Sequence, residues 1–388
     1  MSDTSMIFPA AEYQRRIKAL QVEMGVAGLD ALLLTTPADV FYTTGFLTRF
    51  WESPARPWFV VVPATGDPVA VIPSIGADLM RRCWISDIRT WNAPDPLDDG
   101  VSLLADCLCG LVAASGRIGI PMGLESHLRM PIADFLRLQD RIAPRKIVDG
   151  TGAVYRVREI KSEAEIAKIR ATCAVADAAF DRVPEFARQG VPLSEVFRSF
   201  QIALLQEGAD WVSYTAGGAG QGGYGDVISP ADAQPLQTGD ILMLDTGAVR
   251  DGYFCDFDRN FAIGHASDPV RRAQEALYLA TEVALETLRP GMLACDLHRI
   301  LTEAITRQGA VAGGGRLGHG LGLTLTEWPS LTPLDRSELR EGMVLTLEPG
   351  VEIAPGRILV HEENIVLRAT GPELLSRRAP AQMPEILT

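Results

Sequence analysis

The sequence predicts an α/β amino-terminal domain followed by an α+β carboxyl-terminal domain built from two helix-hairpin halves. Three observations carry this. Short apolar runs alternate with helical patterns up to about residue 150, a segment of the second part repeats itself at a constant offset, and residues 241–263 read as a hairpin. At 388 residues the chain exceeds one ordinary core, so two domains are expected. We place them at 1–153 and 154–388.

The first domain opens with AAEYQRRIKALQVEMGV (10–26). Tyr13, Ile17, Leu20 and Met24 recur there at three- and four-residue steps, the spacing of an amphipathic helix. ALLLTT (31–36), PWFVVVP (57–63) and DPVAVIP (67–73) read as strands, and helical patterns near 98–115 and 131–140 alternate with RIGIP and KIVDG. That alternation is an α/β domain. Between its first strands lies GFLTRFWESPARPW (45–58), a loop rich in aromatics and arginine in which Trp51 and Trp58 read as packing residues.

The second domain begins with RVREIKSEAEIAKIR (156–170), where Ser162 serves as an N-cap and Glu163 and Glu165 sit in the first turn of a long helix. FARQGVPLSEVFRSFQIALLQEGA (186–209) then returns without a gap as TLRPGMLACDLHRILTEAITRQGA (287–310). Arg188 matches Arg289, Gly190 matches Gly291, and Gly208 with Ala209 matches Gly309 with Ala310. Glycines in register at both ends argue for duplication. Two halves, roughly 160–265 and 270–375, would then join their hairpins into one curved sheet.

Composition bounds the function. Hydrophobic residues make up 47% of the chain and charged ones 22%, as in soluble globular proteins. No apolar run approaches the roughly 20 residues of a membrane helix, and MSDTSMIFPAAEYQRR lacks a signal-peptide core, so a cytoplasmic location and no membrane partner are expected. A formal charge of -13 repels a phosphate backbone, which argues against nucleic acid as a partner. The six cysteines lack metal-knuckle spacing and read as reduced core thiols.

The chemistry lies in ILMLDTGAVRDGYFCDFDRNFAI (241–263). Each of its two apolar runs carries an aspartate, Asp245 and Asp256, which would face each other across the hairpin. A carboxylate buried without a counter-charge is very costly, so the pair asks for a cation. Further on stand GHGLG around His319, LTLEPG around Glu348 and LVHEENIV around Glu362. Singly, each carboxylate is more often a turn or ion-pair residue. Four of the five acids and histidine together occupy apolar strand-like runs, and one His, two Asp and two Glu are hard donors in the number two divalent ions need.

These residues resemble the creatinase, prolidase and aminopeptidase P family. Its pattern is an Asp, a second Asp eleven residues on, a His in a Gly-rich segment, a Glu opening E-P-G and a Glu in a late strand. The resemblance implies a creatinase-like amino-terminal α/β domain, a pita-bread catalytic domain and a homodimer. It also implies a centre of two divalent ions in which Asp256 and Glu362 bridge, Asp245 chelates one ion, and His319 and Glu348 hold the other. Carboxylate-dominated ligation favours manganese, with zinc, cobalt or iron also accommodated. Glu348 is the candidate for moving the proton of the activated water to the leaving nitrogen. In the resembling family the region matching 45–58 reaches a neighbouring active site, which makes Arg49, Trp51 and Arg56 candidates for substrate contact. Glu362 rather than Glu363 is aligned with the family's last ligand.

The chain also departs from the peptidases. Two substrate-holding histidines of the family align with Ile228 and Thr326, and an arginine aligns with Val360. Each donor lost without replacement costs a peptide-bond reaction on the order of 3 kcal/mol. Possible replacements are Tyr224 and Asp226, Glu327, and Asp258, which stands where the family usually has Thr. Were Asp258 and Glu327 to face the ions, their charge would suit a cationic substrate. The leading expectation is a metal-dependent hydrolase of Xaa-Pro peptidase type, cleaving a C–N bond in a dipeptide or small molecule. The alternatives are a lyase or amidinohydrolase acting on a small cationic compound, or a binding protein without activity.

Overall fold

The computed structural model describes residues 6–53 and 56–387. The first five residues of the stretch read for a signal core, and Pro54 and Ala55 of the aromatic loop, lie outside them. The chain forms two units, Met1–Arg158 and Glu159–Thr388. The division comes five residues after the expected one because the helix Thr151–Arg158 belongs to the first unit, where Arg156 pairs with Glu23 of the first helix at 2.5 Å.

In the first unit the helix Ala10–Ala27 buries Tyr13, Ile17, Leu20 and Met24, the stripe its periodicity predicts. It also buries Arg16, whose guanidinium lies over the rings of Phe8, Tyr13 and Tyr42 and donates to the Tyr42 carbonyl. The sheet runs, in spatial order, Asp87–Trp91, Val69–Pro73, Phe59–Pro63, Ala31–Leu34, Arg117–Ile120, Lys146–Asp149. Its three central strands are antiparallel neighbours and the outer pairings are parallel. Helices Val101–Leu111 and Ile132–Ile142 pack their apolar faces on it. The edge strand Asp87–Trp91 escapes a sequence reading because half-exposed DIRTW carries no apolar run.

The second unit starts where the capping residue places it. Ser162 accepts from the Glu165 N–H while the Glu165 carboxylate takes the Ser162 N–H, and the helix Glu163–Asp181 follows. The duplication is visible in three dimensions. Helices Leu193–Gln206 and Ala294–Arg307 are both 14 residues long. Gly190 and Gly291 precede them with φ of 85° and 94°, and their N–H groups donate to Leu236 and Leu339 respectively. Glu163–Asp181 and Asp268–Thr287 are the corresponding long helices.

The hairpins do not join into one curved sheet. Among the described residues they form a five-stranded sheet around Asp240–Arg250, another around Val344–Leu347, and a three-stranded one of Val311–Ala312, Gly350–Ala354 and Arg357–Val360. Strands Phe257–Ile263 of the first half and Glu363–Arg368 of the second lie in different sheets. Asp256 and Glu362 immediately precede them, and their main-chain groups are engaged by side chains. The hairpin 241–263 exists, with Asp240–Arg250 turning through Asp251 and Gly252, both of positive φ. Its register places Asp258, not Asp256, opposite Asp245. Asp256 precedes the first registered pair, Phe257 with Thr246, so the two aspartates meet diagonally. All six cysteines are free thiols, and no helix among the described residues is long and apolar enough to cross a membrane.

Candidate metal centre

Five side chains anticipated from the sequence come together inside the second unit. Asp256, His319 and Glu348 offer atoms within 4.8 Å of one another, and so do Asp245, Asp256 and Glu362. The two groups share Asp256. Glu362 enters the second group.

Each ligand is set by its backbone. Asp245 lies mid-strand in a stretch buried from Asp240 to Val249. His319 sits on a two-residue strand beside Val344–Leu347, and a Cβ on the following Gly320 would lie 2.4 Å from the Trp328 carbonyl oxygen, so only glycine admits this approach. His319 Nδ1 faces the Gly320 carbonyl oxygen at 2.8 Å, which assigns its proton to Nδ1 and turns Nε2 towards Asp256 Oδ2 at 3.1 Å and Glu348 Oε1 at 2.8 Å. Thr346 holds both ends of this group: it accepts from the His319 N–H and donates to Glu348 Oε1 at 2.6 Å.

The electrostatics ask for cations. Burial and the carboxylates around them push Asp245 and Glu362 well above the usual carboxylate range, and burial raises Asp256 as well. Burial would lower His319, but Glu348 and Asp256 outweigh it and carry the imidazole up to about 10. His319 in turn holds Glu348 low against its own burial. Asp245 Oδ1 and Glu362 Oε2 are buried with no hydrogen-bond partner. Two orphaned acidic oxygens in one cluster, with an imidazole nitrogen turned into the other, fit a pair of divalent ions.

Tyr214 belongs to this centre and carries no spacing signal that would have found it. The strand Trp211–Gln221 bulges between Val212 and Thr215, and the bulge directs the Tyr214 hydroxyl between Asp245 Oδ2, at 2.9 Å, and Asp256 Oδ1. Glu363, the rival of Glu362 in the alignment, is turned away to Arg259, Arg378 and Ser376.

The other candidates fall elsewhere. Glu327 is neither solvated nor part of either ligand cluster: its carboxylate takes the Lys161 ammonium at 3.0 Å and the N–H groups of Leu323 and Thr324. Asp226 is exposed and accepts from the Ile228 and Ser229 N–H groups, a turn former. Tyr224 is fully buried and its hydroxyl accepts the Val360 N–H at 2.7 Å. Asp258 is buried, with its oxygens on the Glu362 N–H and on Asn260 Nδ2. The surplus charge invoked for a cationic substrate is thereby engaged by the protein itself. Ile228 stands 85% exposed, so no side chain of the first lost histidine's kind is replaced there. In the first unit Arg49 pairs with Glu52, Arg56 lies over the Phe50 ring, and Trp51 packs on Phe46 and Trp58. Arg129, unnoticed in the sequence, staples that loop through the carbonyls of Trp51, Ser53 and Arg56.

Comparison with known proteins agrees with this architecture. Residues 16–160 match the creatinase/prolidase N-terminal domain, and residues 167–369 match metallopeptidase family M24. A probable dipeptidase PepE of Mycobacterium tuberculosis is 28% identical over 93% of this chain and 93% of its own length. An Xaa-Pro dipeptidase of Pyrococcus horikoshii is 29% identical over 93% and 97%. The crystal structure of dipeptidase PepE from Mycobacterium ulcerans superposes with a TM-score of 0.84 at 27% identity, over 98% of this chain and 100% of that one.

Proposed function

Since the chain belongs to metallopeptidase family M24, with a creatinase/prolidase amino-terminal domain, we propose that it is a hydrolase of Xaa-Pro dipeptidase type, cleaving the C–N bond of a dipeptide or similarly small amide. The observation that carries the reading is the pair of ligand clusters sharing Asp256, with oxygens of Asp245 and Glu362 left unpaired. Asp245, Asp256, His319, Glu348 and Glu362 would together hold two divalent ions. Bound there, two such ions polarise a carbonyl and lower the pKa of water. The donor set favours manganese.

Glu348 is the residue suited to move the proton. It is the most exposed of the five, with 15% of its side chain accessible, and Thr346 and His319 keep its Oε1 fixed. Its carboxylate can accept a proton from water and release it to the leaving nitrogen. The family's histidines are absent at Ile228 and Thr326, which favours small substrates held mainly by the centre itself. The same reading takes the protein to be a cytoplasmic homodimer.

The test is metal analysis of purified protein beside hydrolysis of an Xaa-Pro dipeptide panel, with Asp256→Asn in parallel. The reading requires about two equivalents per chain, dependence of turnover on them, and loss of both in the variant. A protein that takes up no divalent ion after manganese reconstitution refutes it.

A further inference from the structure

Asp258 and Asn364 occupy matching places: Asp258 lies two residues beyond Asp256, and Asn364 two beyond Glu362. The strands that carry them are in different sheets, so no hydrogen-bonded ladder sets Asp256 against Glu362. Side chains take over, and they do so reciprocally. Asp258 Oδ1 accepts the Glu362 N–H at 2.7 Å. Asn364 takes both main-chain groups of Asp256, its Oδ1 accepting the N–H at 3.0 Å and its Nδ2 donating to the carbonyl. Each half of the duplication therefore grips the main chain of the other half's ligand.

Both residues are themselves fixed. They are 1% and 0% exposed. Asp258 Oδ2 accepts from Asn260 Nδ2, which also donates to the Val360 carbonyl, and the Asn364 N–H donates to Ser376 Oγ. Arg259 adds a cross-brace, donating to the carbonyls of Asp258 and Glu362. Asp245, Asp256 and Glu362 converge in one buried cluster, so their spacing depends on what holds their main chains.

We propose that Asp258 and Asn364 are positioning residues, a reciprocal clamp across the seam of the duplication that sets where Asp256 and Glu362 stand relative to each other. The proposal rests on the metal-centre reading above. It gives Asp258 a structural partner in Glu362 rather than a substrate. Asp258 steadies Glu362, and Asn364 steadies Asp256.

The experiment titrates Co2+ into the full-length, metal-stripped protein, following visible absorption and calorimetry, with thermal unfolding of the metal-free form as the control for folding. Asp258→Leu and Asn364→Leu should each weaken ion binding on the order of tenfold to a hundredfold. Asp258→Asn keeps an oxygen for the Glu362 N–H but loses the acceptor for Asn260, and should bind the ions more tightly than Asp258→Leu does. Wild-type affinity and spectrum in both leucine variants would overturn the clamp. So would an Asp258→Leu variant that changes only KM, which is the mark of a substrate contact. Should Asp258→Leu fail to fold, Asn364→Leu decides, since wild-type affinity and spectrum there overturn the clamp. A wild-type chain that takes up no Co2+ overturns the metal-centre reading and the clamp together, whereas failure of the clamp alone leaves two ions in every variant.

Discussion

Gly247→Ala tests whether Tyr214 is part of the metal centre. A Cβ at Gly247 would lie 2.4 and 2.7 Å from two carbons of the Tyr214 ring and 3.0 Å from Leu325 Cδ1. Ordinary contact begins near 3.4 Å, so the ring must retreat by about 1 Å. The strand around Gly247 is buried and its neighbours Thr246 and Ala248 are paired, and the ring is therefore the part that yields. Its hydroxyl then leaves Asp245 and Asp256. Overpacking costs about 1–3 kcal/mol, and a lost hydrogen bond to a charged group about 1.5–3 kcal/mol. The sum, roughly 2.5–6 kcal/mol, is a large fraction of a domain's stability. Thermal unfolding of the metal-free protein should fall steeply, and metal affinity with it. Tyr214→Phe removes the hydroxyl alone and should show only the second part of the loss. Tyr214→Ala combined with Gly247→Ala should be no worse than Tyr214→Ala, because the clash needs the ring. A Gly247→Ala protein with wild-type stability and metal affinity would refute the reasoning.

Four further outcomes follow from the same structure. Metal uptake should release protons and tighten with rising pH, since Asp245, Glu362 and His319 all hold protons beyond their ordinary range and the ions need the deprotonated forms. For the metal-free chain the sign is opposite: a raised His319 contributes stability fully below its unfolded pKa near 6.5 and loses it as pH rises through about 10, so melting temperature should drop across that window. Lys161→Met should destabilise the second unit by about 3–5 kcal/mol, because buried Glu327 loses its ammonium partner; a chemical denaturation midpoint equal to wild type would argue that the amides of Leu323 and Thr324 suffice. Arg129→Ala removes three main-chain hydrogen bonds from the 45–58 loop and its stacking on Trp51, and limited proteolysis should cut that loop faster than in the wild type.

Much of the fold is legible because burial imposes period. The first helix, the three central strands of the first sheet and the Ser162 start all follow from apolar spacing or a cap, and the repeated segment marks matching helices of equal length. What fails is whatever depends on partners distant in sequence. Arg16 interrupts no apolar period, yet it is fully buried because three aromatic rings and a carbonyl receive it. The expectation of one curved sheet assumed that strands meeting at a seam must share hydrogen bonds. At this seam the β-ladder is replaced by carboxylate and carboxamide side chains.

The same distinction runs through the site. Ligands are legible because a metal selects among few residue types, and an acid inside an apolar run contradicts its surroundings unless a cation answers it. The groups that hold the ligands need only present a donor or acceptor at the right place, and a tyrosine, threonine or asparagine does so anywhere in a chain. Tyr214 reaches Asp245 and Asp256 through a bulge, which alternation cannot reveal, and Asn364 looks like one more residue of an apolar strand. Asp258 shows how this misleads in the opposite direction. As an acid on the ligand-bearing strand it invites a role at the substrate, whereas its oxygens are spent on the Glu362 N–H and on Asn260. Glu327 repeats the lesson with Lys161. An acid in an apolar run thus announces that a compensating group exists, and the compensation can be an ion, an ammonium or a main-chain amide. Only the assembled fold says which, and here it divides seven acids near the centre into four that converge with His319 and three, Asp258, Glu327 and Glu363, that are answered from within the chain.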